Sequence, residues 1–78
     1  MNEIKPDSIL DLRGVICPMN YVKTKLKLEE MLPGQILKVI IDGDDAVLNV
    51  PRSVKEEGHK IIKAEKTGDA FNLFIERA

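Results

Sequence analysis

Cys17 is the one cysteine of the chain, and Pro18 follows it inside "GVICPMN" (14–20). Proline suits the first position of a helix, where its missing N–H costs nothing. If Pro18 opens a helix, Cys17 is its N-cap. The sulfur then sits at the positive end of the helix dipole, beside backbone N–H groups that have no partner within the helix. Such surroundings lower a thiol pKa and favour the thiolate, the nucleophilic form. Arg13 on the same turn is expected to add positive charge, and Gly14 to supply backbone freedom there. The same residue also reads as a structural cysteine, since a lone cysteine behaves as a small buried hydrophobe. Local chemistry leaves a reactive thiol and a packed one both open.

Other candidates are weaker. His59 is the only histidine. A Cys–His pair would suggest an activated nucleophile, but no third residue to orient the imidazole is evident, and a structural or edge position is expected. Asp42, Asp44 and Asp45 cluster in "DGDD" but lack the spacing and terminal Glu of a calcium loop. Capping of the following helix by Asp44 or Asp45 explains them better. Cys17 and His59 are too few soft ligands for a closed zinc site, so neither metal nor cofactor is expected. With one cysteine there is no internal disulfide and no resolving thiol for a two-cysteine redox enzyme.

The elements that must position Cys17 follow from the pattern. "SILDL" (8–12) reads as a short strand and "RGVIC" (13–17) as a turn. "PMNYVKTKLKLEEM" (18–31) has no glycine or internal proline and reads as helix, stopped by "LPG" (32–34). "QILKVIID" (35–42) is a strand with Leu37, Val39 and Ile41 on one face and Ile36 and Ile40 on the other. "AVLNVPRSVKEEG" (46–58) reads as a helix in two pieces broken near Pro51, with Gly58 closing it. "KIIKAEK" (60–66) and "AFNLFIER" (70–77) form a hairpin around "TGD", with Phe71, Leu73 and Ile75 inward. The expected fold is α/β (α+β): a two-layer α/β sandwich, βαβαββ, with two helices on one face of a four-stranded mixed sheet. Residues 1–7 are expected to be a polar arm and 8–78 one domain.

On the first helix, Tyr21, Thr24, Leu28 and Met31 form the stripe expected to face the sheet. Met19, Val22 and Leu26 form a second apolar strip. It is expected to pack on the second helix; the functional alternative is a docking surface beside the cysteine. Asn20, Lys23 and Lys27 are placed between the strips on the outer face, with Lys23 and Lys27 as candidates for steering an acidic partner. The sheet's other face, with Ile36, Ile40 and Phe74, is a candidate for a weak homodimer or partner contact.

Composition narrows the function classes. The 78 residues are 44% apolar and 32% charged, with a formal net charge of −1, which disfavours direct nucleic-acid binding. No apolar run approaches the roughly 18 residues of a membrane span. The polar "MNEIKPDS" lacks a signal-peptide core, so a cytoplasmic location is expected, where a thiol stays reduced.

"LDLRGVICPMN", "KTKLKLEEMLPGQILKVIIDGDDAV" and "EEGHKI" resemble the TusA/SirA/YedF-like family of small sulfur carriers, over about residues 8 to 77. Cys17-Pro18 matches the first half of the family's Cys-Pro-x-Pro motif. Asp11, Arg13 and Gly14 match the segment before it, Pro33-Gly34 the turn before the second strand, and Gly58-His59 the family's Gly-His step. The second proline is replaced by Asn20, which restores a backbone N–H and adds a side chain able to hydrogen-bond a thiolate or persulfide. The resemblance implies the same two-layer fold and a sulfurtransferase-type persulfide carrier. Cys17 takes a sulfane sulfur from a donor protein, a desulfurase or rhodanese-like enzyme, and passes it to an acceptor protein in a sulfur relay. Arg13, Gly14, Pro18 and Asn20 would support the site, and Met19, Lys23 and Lys27 would dock the partner. The alternative is a non-catalytic regulatory or protein-binding module with a structural cysteine, Asn20 marking a lost site.

Overall fold

The computed structural model describes residues 5–16 and 19–78, and for 44–46 the backbone alone. Four strands and two helices follow the expected order: β1 (Ser8–Asp11), α1 (Met19–Glu30), β2 (Ile36–Asp42), α2 (Asp44–Glu56), β3 (Lys60–Thr67) and β4 (Ala70–Glu76). The sheet order is β1-β2-β4-β3. β1 and β2 are parallel, and β4 runs antiparallel to both of its neighbours. This is the four-stranded mixed sheet with two helices that the alternation of patterns predicts.

β2 is the centre of the core because every second residue is a branched aliphatic. Leu37, Val39 and Ile41 are fully buried. They meet Leu73 and Ile75 of β4, Leu28 of α1, and Val50 and Val54 of α2 in one cluster, joined by Leu12 and Met31. Each such side chain contributes about 1.5–3 kcal/mol by leaving water.

α2 differs from its expected form. It is one helix from Asp44 to Glu56 with Pro51 inside it, not two pieces. A mid-helix proline removes one hydrogen bond and costs ~3 kcal/mol. Val50 and Val54, one turn apart across the proline and both fully buried, offset that loss by keeping the whole helix on the sheet. The N-cap is Gly43, without a side-chain cap, so the expectation that Asp44 or Asp45 caps the helix is corrected. At the other end Gly58 adopts φ +90°. Its N–H donates to the Lys55 carbonyl, and His59 N–H donates to the Val54 carbonyl. These two bonds are a Schellman closure, which a residue with a Cβ makes only under strain.

The C-terminal end of α1 is held by the far end of the chain. Arg77 Nε donates to the Leu28 carbonyl at 2.6 Å. Arg77 N–H donates to the Gln35 carbonyl, and Gly34 N–H donates back to Arg77. The Leu28 carbonyl also accepts the Met31 N–H at 3.1 Å, so the guanidinium adds a second donor to it and meets the negative end of the helix dipole.

On the open face of the sheet, Phe74 is nearly buried. Lys38 and Lys63, its partners across both strand pairings, set their ammonium groups 5.9 Å and 6.0 Å from the ring centroid. Lysine stems thus cover the apolar centre of that face while their charges stay in water. Among the described residues, no helix is long and apolar enough to cross a membrane.

Candidate functional site

Cys17 and Pro18 lie outside the described residues, so the N-cap expectation falls outside them too. In sequence they fall between the turn that leaves β1 and the first turn of α1, and the former follows the carboxyl end of β1 in the parallel β1–β2 pair. Crevices at the carboxyl ends of parallel strands are where open α/β sheets place ligands.

The turn 12–16 is fixed at each N–H from Leu12 to Val15. Leu12, 2% exposed, donates to the Ile40 carbonyl at 2.8 Å and accepts from Val15 N–H. Asp11 Oδ1 accepts the Arg13 N–H at 3.1 Å. Gly14 N–H donates to Asp42 Oδ1 at 2.9 Å, across 28 residues of sequence. Gly14 holds φ +80°, a backbone region that costs other residues about 1–2 kcal/mol. That is the physical need behind the glycine.

Arg13 does not offer an unpaired positive charge. Its Nε and terminal nitrogen grip both Asp11 oxygens, the shortest contact at 2.7 Å. The side-chain hydrogen bonds from Arg13, helped by its backbone N–H and its charge, pull the Asp11 carboxyl down to about 2. In return, the Asp11 hydrogen bonds and charge raise the Arg13 pKa, with a smaller push from Asp42. The expectation that Arg13 supplies positive charge is thereby corrected: the pair is internally neutralised and shapes the turn.

α1 begins at Met19, and Asn20 N–H donates to the Ile16 carbonyl at 3.2 Å. Asn20 is 1% exposed, not on the outer face. The buried stripe runs through Asn20, Thr24 and Leu28, residues four apart, with Tyr21 partly buried against the core. Asn20 Oδ1 accepts the Tyr21 N–H at 2.7 Å, and the Asn20 carbonyl accepts the Thr24 hydroxyl at 2.8 Å. The polar stripe is therefore satisfied locally, as burial demands.

The second strip is also corrected. Met19, Val22 and Leu26 are 46%, 38% and 55% exposed and do not pack on α2. α2 approaches from the other side of α1, where Lys25 pairs with Glu57 at 3.9 Å. Burial raises the Tyr21 pKa, and the charge and hydrogen bond of Glu57 on the same side push it further up. Ile16, 77% exposed, extends the apolar strip, so Cys17 lies in sequence between two exposed hydrophobic residues. Lys23 is exposed on the same helix. Lys27 is half-buried and lies 3.8 Å from Glu30.

His59 Nδ1 accepts the N–H of Ala78 at 3.1 Å, a tie to the end of the chain that fits the structural position expected of it. Asp42 is the residue sequence reasoning missed. In sequence it groups with its acidic neighbours, whereas its place at the end of β2, parallel to β1, sets it against the turn after β1.

The model of the "Sulfurtransferase TusA" family matches residues 8–77. The chain belongs to the TusA family. It is 52% identical over 67 residues to an Archaeoglobus fulgidus protein whose name proposes a sulfur carrier, covering 86% of this chain and 76% of that protein. A Thermotoga maritima protein named in the same way is 42% identical over 67 residues, covering 85% of each chain. The crystal structure of a SirA-like protein from Desulfitobacterium hafniense superposes with a TM-score of 0.77 at 22% identity, over 88% of this chain and 95% of that one. That likeness supports the TusA-family fold and nothing finer. Membership in this family, with relatives named for it, gives the chain a sulfur-carrier role.

Proposed function

We propose that the chain carries its sulfur as a persulfide on Cys17. The Cys17 thiolate attacks the outer sulfur of a donor protein's persulfide. A new S–S bond forms, the donor's S–S bond breaks, and its electron pair leaves on the donor thiolate. Delivery repeats the step: an acceptor thiolate attacks the outer sulfur held on Cys17, and the Cys17 thiolate departs. The sulfane sulfur keeps its oxidation state throughout, so no outside oxidant or reductant enters. Rate follows thiolate fraction and access, as in thiol–disulfide exchange, and Cys17 is regenerated each cycle.

The observation that carries this reading is the exposure of Ile16, Met19, Val22 and Leu26, apolar residues that precede and follow the cysteine in sequence. Exposed apolar side chains in one strip mark an interaction surface, and a relay needs one where sulfur is handed over. Lys23 at its border suits a partner with carboxylates around an apolar groove, such as a desulfurase or rhodanese-like donor, by steering the encounter. Lys27, shared with Glu30, contributes less. Burial of Asn20 gives that residue a packing role inside α1, which favours the carrier over a binding module with a lost site. Self-association through the open sheet face is the weaker contact, because lysine stems cover Phe74. A reducing, cytoplasmic setting fits a free thiol.

Intact-protein mass spectrometry after incubation with a sulfane-sulfur donor tests the proposal. Wild type gains the mass of one sulfur atom, reductant removes it, and Cys17→Ser gains nothing. A folded wild type that takes up no sulfur from a desulfurase with cysteine or from a rhodanese with thiosulfate overturns it.

A further inference from the structure

We propose that Asp42 is a positioning residue for Cys17, acting through the turn that carries it; the inference rests on the persulfide-carrier reading above.

Of the turn's backbone donors, Leu12 is held by the β1–β2 ladder, Arg13 by the neighbouring Asp11, and Val15 by Leu12 itself. Gly14 alone is held by a distant side chain, Asp42 Oδ1 at 2.9 Å. Nothing else braces Gly14 from the side: an added Cβ there would meet no heavy atom within 4 Å. Asp42 is itself fixed. It ends β2, pairs with Ala70 of β4, and is followed at once by the N-cap of α2. The bond therefore ties an exposed turn to the central strand.

Cys17 is three residues beyond Gly14, at most ~10 Å of extended chain. A shift at Gly14 is passed to the cysteine with little chain in which to absorb it. Asp42 thus governs how steadily the turn leading to Cys17 is held, and the first turn of α1 carries no acidic residue among those described. The charged groups on the turn side are Asp11, Arg13 and Asp42, and the first two neutralise each other. The chemistry asked of Asp42 is that of a fixed acceptor. An amide oxygen at the same place would serve, and a methyl group would not.

Comparing two uncharged variants separates this role from the carboxylate's charge. Asp42→Asn keeps an oxygen for the Gly14 N–H, and Asp42→Ala keeps none. Since Cys17 is the only cysteine, the second-order rate of iodoacetamide alkylation reports on it alone. At pH 7 the Ala variant reacts at least about threefold more slowly than the Asn variant, and Asn restores the wild-type rate or exceeds it. Equal rates for the two variants overturn the proposal and leave Asp42 a stability brace. In wild type, the Gly14 amide exchanges slowly with solvent; exchange as fast as in an open loop also overturns it, and that measurement needs no variant to fold. Alkylation requires no sulfur loading, so a failure of the carrier reading leaves this comparison intact.

Discussion

Removing the guanidinium of Arg77 is expected to destabilise the protein at the end of α1 remote from the cysteine. The Arg77 Nε to Leu28 carbonyl bond is 2.6 Å and partly buried. A hydrogen bond to a charged group is worth about 1.5–3 kcal/mol, and partial exposure places this one near the lower end. Favourable interaction with the helix dipole adds about 0.3–1 kcal/mol. Arg77→Ala is therefore expected to cost about 2 kcal/mol, with Arg77→Lys recovering part of it through its charge. For a domain this small the urea m-value is near ~1 kcal/mol/M, so the midpoint falls by about 2 M with m unchanged. Equilibrium urea unfolding followed by circular dichroism reads this directly. The 12 residues of α1 span about 18 Å, so in the folded variant the alkylation rate of Cys17 stays at its wild-type value. A loss under about 0.5 kcal/mol, the range of an ordinary surface substitution, would refute the clasp.

Val22→Asp places a charge in the exposed strip of α1. It is expected to leave stability within about 0.5 kcal/mol while slowing sulfur transfer from a rhodanese or desulfurase at least about tenfold, read by mass spectrometry under single turnover. Gly14→Ala meets no steric contact but must hold φ +80°, so it should lose about 1–2 kcal/mol in the same urea assay. The depressed pKa of Asp11, about 2, gives stability that is present above the ordinary carboxylate range near pH 4. That stability is lost as pH falls through the folded value. Arg13→Ala should flatten the stability profile over that window, lowering stability at neutral pH and changing little below about pH 2, where Asp11 is protonated in both proteins, as acid titration followed by circular dichroism would show.

Much of this architecture was legible because its signals are local. The alternation of Leu37, Val39 and Ile41 predicts β2 and its buried face, and "TGD" between two apolar runs predicts the β3–β4 hairpin. The failures lie where tertiary packing overrules local preference. Pro51 reads as a break, but Val50 and Val54 keep α2 whole. Asn20 reads as an outer-face residue by polarity, yet its spacing from Thr24 and Leu28 puts it inside, where its side-chain oxygen and its carbonyl find donors one and four residues on, respectively. The strip of Met19, Val22 and Leu26 reads as core by composition. Its exposure depends on the side from which α2 approaches α1, which no local pattern encodes. At the site, Cys17-Pro18 and Gly14 stand out in sequence. The Asp42 contact spans 28 residues and becomes visible only once β1 and β2 lie side by side. The Arg77 clasp on Leu28 is hidden for the same reason.

The central claim is that Cys17 carries sulfur, and intact-protein mass spectrometry on wild type and Cys17→Ser, after exposure to a desulfurase with cysteine, tests it most directly. The account predicts one reductant-labile sulfur on wild type and none on the variant, with both proteins folded. An equal sulfur load on Cys17→Ser, or none on a folded wild type offered both desulfurase and rhodanese donors, would contradict it.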